Sequence, residues 1–202
     1  MGGEQNRNPH RICFAKRTRT FTQPATPLNK PLENPTKPDG ASRPFNLSSQ
    51  AFEPGAVAGE RYHGERFGCS GGNTMPPLSW DEAPAGAKSF AVTLHDLDAP
   101  TGSGFWHWVA YDLPAATTGL PGGKDGTVLP GGAKEGNTDL GTPGFFGPCP
   151  PPGRQHRYVY TVHALDVTHL PAAADDSPAM VGFIIWQHEL ARATLMFKVG
   201  PR

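Results

Sequence analysis

The sequence predicts a mainly β fold, a β-sandwich with one short C-terminal helix, on three observations. The chain carries 25 Gly and 23 Pro in 202 residues, which leaves little room for helices of ordinary length and suits short strands joined by turns. Three apolar, β-branched runs at about 89–95, 107–112 and 157–166 have the length and chemistry of buried strands. One stretch near the C-terminus recurs at helical spacing and then changes to a period of two. Helical pattern is otherwise scarce, so layered sheets are the natural way to bury these runs.

Taken in order, residues 1–44 hold eight Lys/Arg against three Asp/Glu and few large apolar side chains. Such a composition cannot bury enough surface to offset its ordering entropy, and a disordered basic extension is expected. Its charges are scattered, with Phe14 and Phe21 as the only aromatics, so a nucleic-acid surface is not expected. No secretory apolar segment follows its basic residues, and no run in the chain approaches the ~18 residues of a membrane span.

From Phe45 onward the balance reverses, to ten Lys/Arg against fifteen Asp/Glu over 45–202. The run Phe90-Ala91-Val92-Thr93-Leu94 leads to His95-Asp96-Leu97-Asp98-Ala99-Pro100, where proline ends the ladder and leaves acidic residues at the strand's mouth. In an extended chain Asp96 and Asp98 share a face while His95 and Leu97 take the other. The two carboxylates are therefore expected to share a pocket that His95 does not join. A second strand opens at His107, flanked by Trp106 and Trp108, and a third at His156-Arg157-Tyr158. Between them, 113–156 is rich in glycine and proline and of a length expected of a binding loop. Ser177-Pro178 reads as an N-cap followed by proline at the first helical position. Met180, Val181, Ile184, Ile185 and His188 continue at helical spacing, and then Ala193, Leu195, Phe197 and Val199 alternate in a final strand.

Gly68-Cys69-Ser70-Gly71-Gly72 matches the G-x-S-x-G nucleophile pattern, but that elbow needs a helix after the serine. Asn73-Thr74-Met75-Pro76-Pro77 follows instead, and its prolines forbid one, so a turn is expected. Cys69 and Cys149 are the one pairing open to this region, and the simpler expectation is two separate thiols in a reducing, cytoplasmic setting. The three strand mouths thus present Asp96 and Asp98, His107, and His156 with Tyr158. Imidazoles, a phenol and a Gly147-Pro148-Cys149-Pro150 loop with free amides such as that of Gly147 suit a phosphate or carboxylate. A metal site is the obvious rival, yet no pair of these ligands has a tight metal-motif spacing. No cofactor is called for.

Cys69 through Trp80, His95-Asp96-Leu97-Asp98-Ala99-Pro100, His107-Trp108-Val109, and Gly147 through Pro151 with His156-Arg157-Tyr158 closely resemble the phosphatidylethanolamine-binding protein family. The similarity is greatest to its bacterial and archaeal Raf-kinase-inhibitor-like branch. The resemblance spans about Phe45 to Val199 and implies two antiparallel sheets around a small anion pocket for phosphate or a phospholipid headgroup. It assigns ligand binding to Asp96, Asp98, His107, Gly147, Pro148, His156 and Tyr158. Leu97 departs from the family's usual proline and is expected to loosen the link between the acids. The implied function is non-enzymatic, with a kinase or protease as a protein partner and a homodimer as the assembly. The alternatives are a small hydrolase using a pocket histidine as base, or a metal-binding protein.

Overall fold

The computed structural model describes residues 45–202; the expected disordered extension lies outside them. Among the described residues there are ten strands, five of them three residues or shorter, with one α-helix. The main sheet is five-stranded and antiparallel. It runs in the order β10 (Glu189–Val199), β9 (His156–Leu165), β4 (Ser89–Asp96), β5 (Phe105–Pro114), β8 (Lys134–Glu135). A three-stranded sheet of β1 (Asn46–Ser48), β3 (Leu78–Asp81) and β6 (Gly119–Leu120) makes a second layer. β2 (Thr74–Met75) pairs separately with β7 (Gly123–Lys124).

Alternation along the strands creates the two faces. Phe90, Val92 and Leu94 join Trp108, Tyr158, Tyr160, Leu195 and Phe197 in the larger core, against Leu47, Leu78, Trp80 and Leu120 of the small sheet. Ala91, Val109, Tyr111 and Leu165 point the other way, beneath Leu170 and the helix residues Val181 and Ile185. With β4, β5 and β9 buried on both faces, a one-residue slip would exchange two packed sets of side chains, and the register is strongly specified. The helix, α1 (Pro178–His188), begins as its sequence signals: the Ser177 Oγ accepts from the Met180 N–H at 3.2 Å and Pro178 occupies the first position.

The three strands expected at about 89–95, 107–112 and 157–166 lie within two residues of β4, β5 and β9. Ala193, Leu195, Phe197 and Val199 share the buried face of β10 as their alternation requires. The short strands β1, β2, β3, β6, β7 and β8 had no expected counterpart. The cysteine expectation is overturned. Cys69 and Cys149 form a disulfide with Cα atoms 6.0 Å apart, across 80 residues of chain. Two segments far apart in sequence meet here because Gly64 lies against the 146–148 loop. Its N–H donates to the Pro148 carbonyl at 2.8 Å, and a Cβ at Gly64 would stand 2.5 Å from the Gly147 oxygen. Only a residue with no side chain permits that approach.

Candidate functional site

Antiparallel pairing of β4 with both neighbours brings its C-terminal end beside the N-terminal ends of β5 and β9. Asp96 stands opposite Phe105 on one side and Tyr158 on the other. His107 and His156 therefore arrive at the same end of the sheet from separate strands. All three groups line one cavity of about 430 Å³. Its walls are largely aromatic and proline: Phe67, Phe105, Phe146, Pro151 and Pro152, with Arg202 at the side.

Asp96 is 3 % exposed and both its oxygens are engaged. Oδ2 accepts from the His156 Nδ1–H at 2.8 Å, and Oδ1 accepts from the Asp98 N–H at 2.9 Å. A buried carboxylate needs such partners, and this one fixes the His156 ring with Nε2 turned away from it. His107 is equally buried. Its Nδ1 donates to the Phe146 carbonyl at 2.9 Å, and its ring stacks on Phe146 with centroids 5.1 Å apart and planes 11° apart. Burial pushes its pKa down to about 4, against smaller opposing effects of that carbonyl and Asp96. His107 is thus a neutral imidazole at physiological pH. The Nε2 atoms of both rings have no hydrogen-bond partner among the described residues, are not sealed from solvent, and belong to rings on the cavity wall.

Four other sequence-expected residues stand elsewhere. Asp98 does not share the pocket with Asp96. The strand ends at Asp96, and the turn held by the Asp98 N–H sends the Asp98 side chain out to Arg157. There it accepts from the Arg157 backbone N–H at 2.8 Å, Nε at 2.9 Å and Nη2 at 2.7 Å. The guanidinium beside it holds the Asp98 carboxyl below its ordinary range. The Gly147 amide is not free, because it donates to the Asn73 Oδ1 at 2.7 Å. Pro148 accepts from Gly64, and neither residue lines the cavity. They hold the Phe146 segment in place. Tyr158 is fully buried behind the floor, its ring 5.3 Å from that of His107 and 6.5 Å from that of His156. Its hydroxyl is buried without a hydrogen-bond partner, and burial with the nearby Asp96 charge raises its pKa well above the ordinary range. His95 stays out of the pocket as expected, stacked on Trp106 at 4.3 Å with Nε2 bonded to the Ser103 carbonyl.

The Leu97 position is tied rather than loosened: its N–H donates to the Arg157 carbonyl at 3.0 Å, a bond proline could not make. Ser70 is exposed, and the element that follows it directly is the strand β2 rather than a helix. Residues that the sequence reading missed include Phe67, Phe105 and Phe146. Phe67 adopts φ 54°, rare for a bulky side chain, and its ring meets Phe146 edge-on at 5.7 Å. Also missed were Asn73, which clamps Gly147, and Arg202. The Arg202 guanidinium donates to the carbonyls of Pro150, Gly68 and Phe67 at 2.7, 2.9 and 3.0 Å, joining the two sides of the disulfide. None of these had a local pattern to reveal it. Among the described residues, no cluster of three or more His, Cys, Asp or Glu is arranged to hold a metal ion. No helix among them is long and apolar enough to cross a membrane.

Comparison with known proteins agrees with this architecture. The YbcL protein of Escherichia coli is 43 % identical over 155 residues, 75 % of this chain and 85 % of that protein. YbhB of the same organism is 46 % identical over 153 residues, 75 % of this chain and 97 % of that one. A lipoprotein-type relative, LppC of Mycobacterium tuberculosis, is 35 % identical over 148 residues, 73 % of this chain and 66 % of its own length. The crystal structure of YbcL, described as a member of the mammalian PEBP family, superposes with a TM-score of 0.74 at 41 % identity, covering 78 % of this chain and 99 % of that one. The sequence model of the phosphatidylethanolamine-binding protein family matches residues 48–200. With the sheet order, the strand-mouth histidines and these relatives in agreement, the chain belongs to the phosphatidylethanolamine-binding protein family.

Proposed function

We propose that the protein is a non-enzymatic binding protein whose cavity takes a small anion of the phosphate or phospholipid-headgroup type. The observation that carries this reading is the convergence of the Asp96–His156 pair and His107 on one hollow, with both Nε2 atoms unpartnered by the described residues. Imidazoles held at Nδ1 by a fixed acceptor present Nε2 in a defined direction, which suits recognition of a small polar group. The aromatic and proline walls suit an attached apolar portion, and small-molecule sites commonly combine such walls with a few placed polar atoms.

Hydrolysis is the weaker reading. The Cys149 sulfur is in the disulfide and Ser70 does not line the cavity, so neither is placed as a nucleophile for either histidine. Within the binding reading, Asp98 and Arg157 brace the rim, Gly147 and Pro148 shape the loop, and Tyr158 backs the floor. Regulation of a kinase or protease, and a homodimer, rest on the family resemblance alone. The disulfide favours an oxidising compartment over the cytoplasmic one expected from the sequence.

Calorimetric titration of inorganic phosphate into the full chain tests the proposal, with His156→Ala and zinc titrated in parallel. Phosphate binding that weakens at least tenfold in His156→Ala supports it. Undiminished phosphate binding by that variant overturns the site, and zinc binding without phosphate binding would replace it with a metal reading.

A further inference from the structure

The two cavity histidines are held by partners of opposite character. His156 gives its Nδ1–H to a carboxylate, the Asp96 Oδ2. Because that partner is negative, it can balance the charge of a second proton on the ring when an anion binds, and the ring then donates to the cavity from Nε2. His107 gives its Nδ1–H to a neutral carbonyl, that of Phe146. A carbonyl only accepts, so this bond places the ring's one proton on Nδ1 and leaves a lone pair on Nε2. A second proton would put a charge on a ring that is 3 % exposed and enclosed by Phe146, Phe105 and Tyr158. The charged and titratable groups around it do not supply a free counter-charge. The Asp96 oxygens are already taken by His156 and the Asp98 N–H, His95 is turned to Ser103, and the Arg202 guanidinium is itself cationic.

Towards a bound anion the cavity therefore offers a hydrogen-bond donor at His156 and an acceptor at His107, both on its wall. We propose that it selects an oxyanion that still carries a proton, phosphate or a phosphomonoester as the monoanion, whose hydroxyl donates to the His107 Nε2 while a charged oxygen accepts from His156. The proposal rests on the anion-site reading above and narrows it. A fully deprotonated tetrahedral anion or a phosphodiester brings a bare oxygen to His107, and two acceptors then face each other with no proton between them. Sites built to pair a particular hydrogen-bonding group discriminate strongly against analogues that leave that group unpaired. The same chemistry separates two sources of phosphate, since a free phosphate or monoester has the required hydroxyl and an intact diester headgroup does not.

The test is calorimetric titration of the full chain at pH 6 with inorganic phosphate, methyl phosphate, sulfate and dimethyl phosphate. Phosphate and methyl phosphate should each bind at least tenfold tighter than sulfate and dimethyl phosphate. In His107→Asn, whose amide offers a donor, the phosphate-to-sulfate ratio should fall to threefold or less. Sulfate bound within threefold of phosphate by the wild-type chain overturns the selectivity and leaves the anion site standing. Binding of none of the four overturns the anion site and the selectivity with it. Because the wild-type ratios decide the matter, a poorly folded His107→Asn variant would not rescue or sink the proposal.

Discussion

Replacing His107 with glutamine should remove a specific piece of the acid sensitivity of folding. In the native state burial lowers the His107 pKa from 6.5 to about 4, so the folded protein refuses a proton that the unfolded chain accepts. The sign follows from linkage: between these values the unfolded state binds more protons, and stability falls as pH falls. The contribution is fully present above pH 6.5, is lost progressively down to about pH 4, and changes no further below it. At about 1.4 kcal/mol per pH unit, the fall from 6.5 to about 4 amounts to roughly 3 kcal/mol. His95 and His163 are also lowered, chiefly by burial, but both remain in the variant and largely cancel in the difference. The amide of the His107→Gln variant can still donate to the Phe146 carbonyl and has nothing to titrate. The assay is urea unfolding of both proteins at half-unit steps from about pH 7.5 to 4, without reductant. The stability advantage of wild type over variant should shrink by roughly 3 kcal/mol across that range. A difference that stays constant within about 0.5 kcal/mol would show that His107 is not held neutral, and the donor–acceptor reading of the cavity would fail with it.

Tyr158→Phe deletes a buried hydroxyl that has no hydrogen-bond partner, so it should cost less than about 1 kcal/mol in urea unfolding or even stabilise. Because Tyr158 does not line the cavity, its phosphate affinity should change by less than threefold, and a tenfold loss would show that the hydroxyl reaches the ligand. Reducing the Cys69–Cys149 disulfide frees a loop spanning 80 residues, for which the chain-entropy account gives a loss of at most about 4–5 kcal/mol. A phosphine reductant should lower the urea midpoint of wild type to that of the Cys69→Ser/Cys149→Ser double variant and leave the double variant unchanged. An unchanged wild-type midpoint with both thiols titratable would contradict this.

What could be read from the sequence was whatever depends on local pattern. The continuous apolar run at 89–95 and the period-two alternation in 157–166 and 192–199 report burial in a sheet, and the Ser177-Pro178 cap reports a helix start. Both rest on forces acting within a few residues. The convergence of Asp96, His107 and His156 was legible because each stands at the mouth of a recognisable strand. The chemistry at that mouth was not. Alternation placed Asp98 beside Asp96, but alternation holds only while the strand continues, and the turn made by the Asp98 N–H on the Asp96 carboxylate ends it. Gly147 looked free because its partner, Asn73, is 74 residues away. The Cys69–Cys149 bond likewise depends on Gly64 and the 146–148 loop packing together across the fold. The protonation of His107 depends on the Phe146 carbonyl, which meets its ring only after the long loop has folded back over β5. Local sequence specified the strands and the kinds of groups at their ends. Long-range packing decided which of those groups face the cavity and which of them carry a proton, because hydrogen-bond partners and desolvation are set by whatever chain comes to lie alongside.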